Sequence, residues 1–113
     1  MTQIQRGEIW LADLNPGRGH EQAGKRPCLV ISVNLFNQGT SGLVVVLPIT
    51  SKEKRIPFHV EINPTEGGIK MKSFIKCEDV RSISIERLSQ RWGVVSPTTL
   101  IAVEDRLRIL MGL

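Results

Sequence analysis

With 113 residues, 41% of them hydrophobic, the chain has enough apolar material for one core and no room for two domains, so residues 1–113 are read as a single unit. Its 15 Lys and Arg against 11 Asp and Glu leave a formal net charge of +4, a mild basic bias that tolerates a phosphate-bearing partner without demanding one. No apolar run reaches the roughly 18 to 20 residues of a membrane span, and Met1 to Gln5 is polar where a signal peptide turns apolar, so a cytoplasmic protein with no membrane partner is expected.

Most of the chain reads as short strands broken by turn residues. The first strand is expected from Glu8 to Leu14, ending at Asn15-Pro16-Gly17, where Pro sets φ and Gly permits the turn. A polar loop follows from Arg18 to Lys25. Pro27 to Ser32 and Leu43 to Ile49 are nearly continuous apolar runs, with Asn34, Asn37, Gly39 and Gly42 between them, and fit two central strands joined by an irregular loop. Further strands are expected at Pro57 to Ile62, at Ser73 to Val80 and, more weakly patterned, at Arg91 to Val95, with Asn63-Pro64 and Gly67-Gly68 marking turns. The last segment changes period. Ser96 can cap, Pro97 suits the first helical position, and Leu100, Val103, Leu107 and Leu110 recur at three- and four-residue spacing up to Gly112, which predicts a C-terminal amphipathic helix. On its polar face Glu104 and Arg108 are spaced to pair at i,i+4. Five or six strands and one terminal helix point to a mainly β fold, a small barrel with the helix packed on it.

Several chemistries are excluded by what the chain lacks. Cys28 and Cys77 lie far apart in apolar stretches, with no C-x-x-C, and read as reduced core residues. With only His20 and His59 in the chain, a His-rich zinc or two-metal site cannot be assembled in one subunit. Phosphate-loop, dinucleotide-binding and serine-hydrolase motifs are missing, so no cofactor is expected and any enzymatic chemistry must come from side chains alone.

The loop from Arg18 to Arg26 concentrates His20, Glu21, Gln22, Lys25 and Arg26 just before a buried strand. Polar loops on rigid strands often carry binding or catalysis, although the same composition also makes an ordinary solvated loop. Arg26, immediately before Pro27 at the mouth of a core strand, is held near the barrel surface, and its guanidinium fork matches a phosphate. Thr50 occupies the matching end of the 43–49 run, where a hydroxyl can equally satisfy local backbone. Ser51, Lys52, Lys54 and Arg55 follow it as a basic stretch, either a nucleic-acid contact or a solvated loop. Phe58 reads as core or as a base-stacking platform, Lys76, Glu78, Asp79 and Arg81 as paired charges, and Trp10 and Trp92 as packing residues.

Three segments together carry a resemblance: Arg6-Gly7-Glu8-Ile9-Trp10; His20-Glu21-Gln22-Ala23-Gly24-Lys25-Arg26-Pro27-Cys28-Leu29-Val30; and Val46-Leu47-Pro48-Ile49-Thr50-Ser51. The sequence resembles the MazF/PemK (Kid) family of toxin endoribonucleases over essentially the whole chain. The G-E-I-W start and E-Q-x-G-x-R-P are the specific motifs. The resemblance implies an SH3-like barrel of five to seven strands with a C-terminal helix, a homodimer, metal-independent cleavage of single-stranded RNA, and silencing by an acidic, MazE-like antitoxin. It places Arg26 and Thr50 on the family's catalytic Arg and Thr, and His20, Glu21 and Gln22 on residues flanking the RNA path. Where the Kid branch has Arg-Cys-Asp, this chain has Lys76-Cys77-Glu78, which keeps the charges but changes the reach of both groups.

RNA supplies its own nucleophile, the 2′-hydroxyl, so a protein need only remove that proton, stabilise charge on the phosphate and protonate the leaving 5′-oxygen. Arg26 is expected to clamp the phosphate and Thr50 to donate to it. A guanidinium is a poor proton acceptor near neutral pH, so Glu21 and Glu78 are the first candidates for the base and His20 the next. Backbone contacts are expected from Lys25, Lys52, Lys54, Arg55, Lys76 and Arg81, with bases near Phe58. Two other readings stay open on the same barrel: a non-catalytic, CcdB-like inhibitor of DNA gyrase, and an RNA-binding barrel without turnover.

Overall fold

The computed structural model describes residues 3–113, so the first two residues of the polar start, Met1 and Thr2, lie outside the described chain. Seven strands form one antiparallel sheet: β1 Glu8–Asp13, β2 Lys25–Val30, β3 Leu43–Thr50, β4 His59–Ile62, β5 Ser73–Lys76, β6 Arg81–Ser84 and β7 Leu88–Val94. Two helices complete it, the one-turn α1 Asn34–Asn37 and the long α2 Pro97–Met111. The sheet order is β4-β5-β3-β2-β1-β7, with β6 also paired to β3. Thus β6 lies along the first half of β3 and β5 along its last two residues, Ile49 and Thr50. Bulges between β1 and β7 at Ile9/Trp10 and Leu11/Ala12 add the local twist that curls the sheet. No described helix is long and apolar enough to cross a membrane.

The continuous apolar runs of β2 and β3 have a simple cause, because the sheet carries a core on both faces. Successive residues alternate between two clusters. Ile9, Leu29, Leu47 and Ile49 join Ile62, Ile75 and Val103 in one, while Trp10, Cys28, Val30, Val44, Val46 and Ile83 form the other. Helix α2 covers the first cluster with Val103, flanked by the partly buried Leu100 and Leu107. Its ends follow the sequence signals: the Ser96 side chain accepts from Thr99 N, Pro97 opens the first turn, and Gly112 closes the helix at φ 70. On the same side as α2 the turn Glu66–Gly68 presses against β7 so closely that a Cβ on Gly93 would stand 2.7 Å from the Gly67 carbonyl carbon.

Five details differ from the sequence reading. The fifth strand stops at Lys76 because a single 3-10 turn, Cys77–Asp79, diverts the chain into β6, a strand that the pattern did not reveal. The last strand begins earlier, at Leu88, and the irregular loop after β2 contains α1. Leu110, placed on the apolar stripe of α2, is 36% exposed. Glu104 does not pair along its helix with Arg108. Its Oε2 accepts from Arg6 Nη2 at 2.6 Å, since the chain entering β1 crosses that face of α2.

Candidate active site

The site forms where β2 starts and β3 ends. The register Cys28↔Pro48 in the antiparallel β2/β3 pair, continued by two residues, sets Arg26 opposite Thr50. Both side chains then lie at one mouth of the barrel, where they form the common wall of two clefts. The first, of about 260 Å³, is polar: Glu21, Gln22, Lys52, Lys54 and Lys76 line it, with Gly19 and His20 at its rim. The second, of about 250 Å³, is mostly apolar, lined by Pro27, Ile49, Ile69, Met71 and Trp92, with Ser51 and Lys70 beside them.

Loop 14–24 is shaped by its own hydrogen bonds before it meets the rest of the molecule. Asn15 Oδ1 accepts from Gly24 N at 3.0 Å. Arg18 N donates to Glu21 Oε1 at 3.0 Å while Glu21 N donates back to Arg18 O, so one carboxylate oxygen is held and the other is free. Gln22 anchors the loop from below. Its N–H donates to Asp79 Oδ2 at 2.9 Å, and its carbonyl accepts from Arg81 Nη2 at the same distance. Arg81 Nη2 also reaches Asp79 Oδ2, at 2.8 Å, and Lys76 Nζ stands 3.7 Å from that oxygen. Asp79 and Arg81 therefore tie the loop to the barrel floor.

Arg26 Nε donates to Ala23 O at 3.2 Å, which pins the guanidinium against its own loop. The Gln22 side chain sits between the two cations. In one orientation its Oε1 accepts from Lys76 Nζ at 3.3 Å; turned over, it accepts from Arg26 Nε at 2.9 Å and Nη2 at 3.2 Å. Thr50 is 5% exposed, and its Oγ1 accepts from Lys52 N at 3.2 Å, which leaves the hydroxyl hydrogen free to donate. Among the described residues, Arg26, Lys52 and Lys54 have no carboxylate within ion-pair distance, whereas Arg6, Arg81, Arg91 and Arg106 are all paired. Arg26, Lys52 and Lys54 thus present unneutralised positive charge at the cleft, which suits it to hold a polyanion.

The remaining predicted residues fall elsewhere. Lys25 and Arg55 are exposed, Arg55 at a positive φ of 54, and line neither cleft. Phe58 is half-buried and packs against the core. Glu78 lines neither cleft; its Oε2 lies 2.8 Å from His59 Nε2. Burial pushes the Cys28 and Cys77 thiols up to about 12, so neither is a ready nucleophile. Three contributors went unrecognised as part of the site in the sequence: Asp79, which holds Gln22, and Trp92 and Met71, which wall the apolar cleft. The i,i+3 spacing of Lys76 and Asp79 was the one available signal.

Known proteins resemble the chain in sequence and fold. Residues 5–111 match the family described as PemK-like, MazF-like toxin of type II toxin-antitoxin system. The chain is 36% identical over 112 residues to Endoribonuclease MazF of Staphylococcus epidermidis, covering 97% of this chain and 92% of that one. It is 34% identical over 115 residues to Endoribonuclease MazF9 of Mycobacterium tuberculosis, covering 97% and 98%. The crystal structure of MazF from Deinococcus radiodurans superposes with a TM-score of 0.89 at 28% identity over the whole of both chains. The same protein in its MazE-MazF complex gives 0.82 at 28%, covering 100% of this chain and 99% of that one. The fold, the matched span and these relatives make the chain a member of the PemK-like, MazF-like toxins of type II toxin-antitoxin systems.

Proposed function

We propose that this toxin is an endoribonuclease that cuts single-stranded RNA without a metal ion, through attack of a 2′-hydroxyl on the adjacent phosphodiester. The observation that carries the reading is the convergence of Arg26 and Thr50 on the wall between a cationic and an apolar cleft. Such a wall suits a phosphate flanked by backbone on one side and a base on the other. The relatives named as endoribonucleases support the same assignment.

In the proposed reaction a base takes the 2′-O–H proton, the O2′–P bond forms, and the P–O5′ bond breaks as the 5′-oxygen gains a proton. The products are a 2′,3′-cyclic phosphate and a 5′-hydroxyl. Arg26 holds the phosphate through guanidinium N–H groups not engaged with Ala23, and the free hydroxyl hydrogen of Thr50 donates to a non-bridging oxygen. Glu21 is the carboxylate that lines the polar cleft, and its unengaged oxygen is assigned the proton-accepting role, with His20 the next candidate. Lys52, Lys54 and Lys76 contact the RNA backbone, and the exposed Lys25 and Arg55 extend the basic surface.

The protein acts in the cytoplasm as a homodimer. Ile101, Ile109 and Met111 of α2, with Leu113 just beyond it, are exposed apolar side chains that a second copy would cover. Its partner is a MazE-like antitoxin, which the Deinococcus radiodurans MazE-MazF complex supports, and as an acidic segment it would mask the cationic cleft.

The test is incubation with a long single-stranded RNA in excess EDTA, followed by analysis of the new ends. Wild-type protein should leave cyclic phosphate and 5′-hydroxyl termini, and Arg26→Ala should cleave about 10² to 10³ times more slowly, the usual effect of losing a donor to developing charge. Absence of cleavage across RNAs of varied sequence would sink the reading and turn attention to gyrase.

A further inference from the structure

Behind the cleft, His59 and Glu78 form a pair with no part in the chemistry above. The His59 side chain is 3% exposed, and its Nε2 stands 2.8 Å from Glu78 Oε2. The other ring nitrogen, Nδ1, and the other carboxylate oxygen, Oε1, are both shut away from solvent with no protein partner. A pair that leaves two shielded polar atoms unsatisfied is a poor source of stability, since apolar side chains of similar volume serve that end as well or better. Its location offers another role. His59 opens β4 opposite Lys76 of β5, and Glu78 is the middle residue of the turn Cys77–Asp79. That turn has no side-chain cap, and it carries Lys76 at one shoulder and Asp79 at its end. Both reach the loop above: Lys76 Nζ to Gln22 Oε1 at 3.3 Å, and Asp79 Oδ2 to Gln22 N at 2.9 Å. Turned over to hold Arg26 Nε at 2.9 Å, the Gln22 amide gives up the Lys76 bond, and the bond from Gln22 N to Asp79 is the link kept in both orientations.

We infer that the His59–Glu78 pair is a positioning device: it sets the height and tilt of the 77–79 turn, and through Asp79 and Gln22 it fixes Arg26 at the scissile phosphate. Glu78 is then a positioning residue that acts through His59. With the imidazole proton on Nε2, the carboxylate accepts it, and the bond adds a side-chain tie between the start of β4 and the turn beside the backbone bond from Cys77 N to Phe58 O at 3.3 Å. The consequence for cleavage rests on the endoribonuclease reading. The consequence for the loop does not.

The test pairs two readouts on four proteins: exchange of the Gln22 amide hydrogen without RNA, and cleavage rate at saturating RNA with KM alongside. His59→Leu strands a carboxylate and is the variant most exposed to folding failure, so the double variant His59→Leu/Glu78→Leu, which replaces the pair by packing, is the decisive one. In it, Gln22 exchange should rise about tenfold, as expected for a loosened local anchor. Its kcat should fall about tenfold to a hundredfold while KM stays within about threefold, the signature of a misplaced rather than a missing group. Glu78→Gln keeps an oxygen for the imidazole N–H and should hold both readouts within about threefold of wild type. A double variant that folds with Gln22 still protected, or that cleaves at the wild-type rate, would show the pair to be packing only. Loss of cleavage in Glu78→Gln with Gln22 still protected would make Glu78 a proton-transfer group and overturn the inference. If wild-type protein cuts no RNA, the functional reading falls, and Gln22 exchange in the double variant still decides whether the pair sets the loop.

Discussion

Two carboxylates hold opposite ends of the barrel, and they do so by the same chemistry for different ends. At the first residue of β1, Glu8 uses both oxygens: Oε1 accepts from Gln5 N at 2.8 Å and Trp10 Nε1 at 3.0 Å, and Oε2 accepts from Arg91 Nε at 2.6 Å. At the other end, near Asp13 and Lys25, Asp79 Oδ2 gathers Gln22 N, Arg81 Nη2 and Lys76 Nζ. Both side chains are shielded, Glu8 at 9% exposure and Asp79 at 14%. The difference lies in the donors. Glu8 ties down strand residues and a core tryptophan, whereas the donors to Asp79 include two residues that line the cationic cleft, Gln22 and Lys76. A buried carboxylate with several donors is thus no sign of a functional site by itself; what its donors do next decides.

Removing the acceptor at the cleft end should produce the larger effect. Asp79→Ala leaves Gln22 N, Arg81 and Lys76 without their shared oxygen, and Arg81 Nε already lacks a protein partner. The expected outcome is a stability loss of about 2 to 4 kcal/mol in chemical denaturation, together with a cleavage rate lower by about a hundredfold from loop misplacement. A variant that lost stability alone would erase the contrast, because Asp79 would then be no different from Glu8.

The matching change at the far end should be read in stability only. Burial pushes the Glu8 carboxyl up, but the bonds from Arg91, Trp10 and Gln5 outweigh it and hold the group below its ordinary value of 4.5. A carboxylate with a depressed folded pKa contributes stability that is present above the unfolded pKa and lost as pH falls through the folded one. Glu8→Gln should therefore cost about 1 to 2 kcal/mol at neutral pH, and its gap to wild type should close progressively below about pH 4.5. Cleavage below the melting temperature should match wild type. Thermal melts across pH would contradict this account if the gap stayed constant or widened in acid.

The same two ends explain what could be read from the amino-acid sequence. The runs at β2 and β3 were legible because both faces of those strands are core, and α2 was legible because Ser96, Pro97 and Gly112 all mark its ends locally. Arg26 and Thr50 were legible as polar residues at the ends of apolar strands. By contrast, β6 buries only Ile83 among four residues, so its pattern was too short to register. The partners of charged residues were also hidden: Glu104 finds Arg6 across 98 positions of sequence, and Glu78 finds His59 across 19. A one-turn 3-10 segment has no periodicity of its own, so the turn that carries Glu78 and Asp79 into place could not be inferred from spacing, and Glu78 read as a site carboxylate of the same standing as Glu21.

A smaller effect tests whether the free cations of the cleft end meet phosphate at all. Lys52 and Lys54 are exposed and unpaired among the described residues, whereas Arg91 at the far end is committed to Glu8. Each lysine ammonium that neutralises an RNA phosphate releases counterion from the single strand, so log affinity falls with log salt by about 0.7 per contact. Lys54→Ala should lower that slope by about this amount and weaken binding nearly equally for RNAs of different sequence, as a backbone contact does. Arg91→Ala should leave the slope unchanged, because its guanidinium already has a carboxylate and sits away from the cleft. Both slopes can be measured by titrating a non-cleavable, 2′-deoxy-blocked strand over a range of salt. An unchanged slope in Lys54→Ala would mean that this ammonium acts at a distance, steering RNA inward, and that the phosphate contacts fall to Arg26, Lys52 and Lys76.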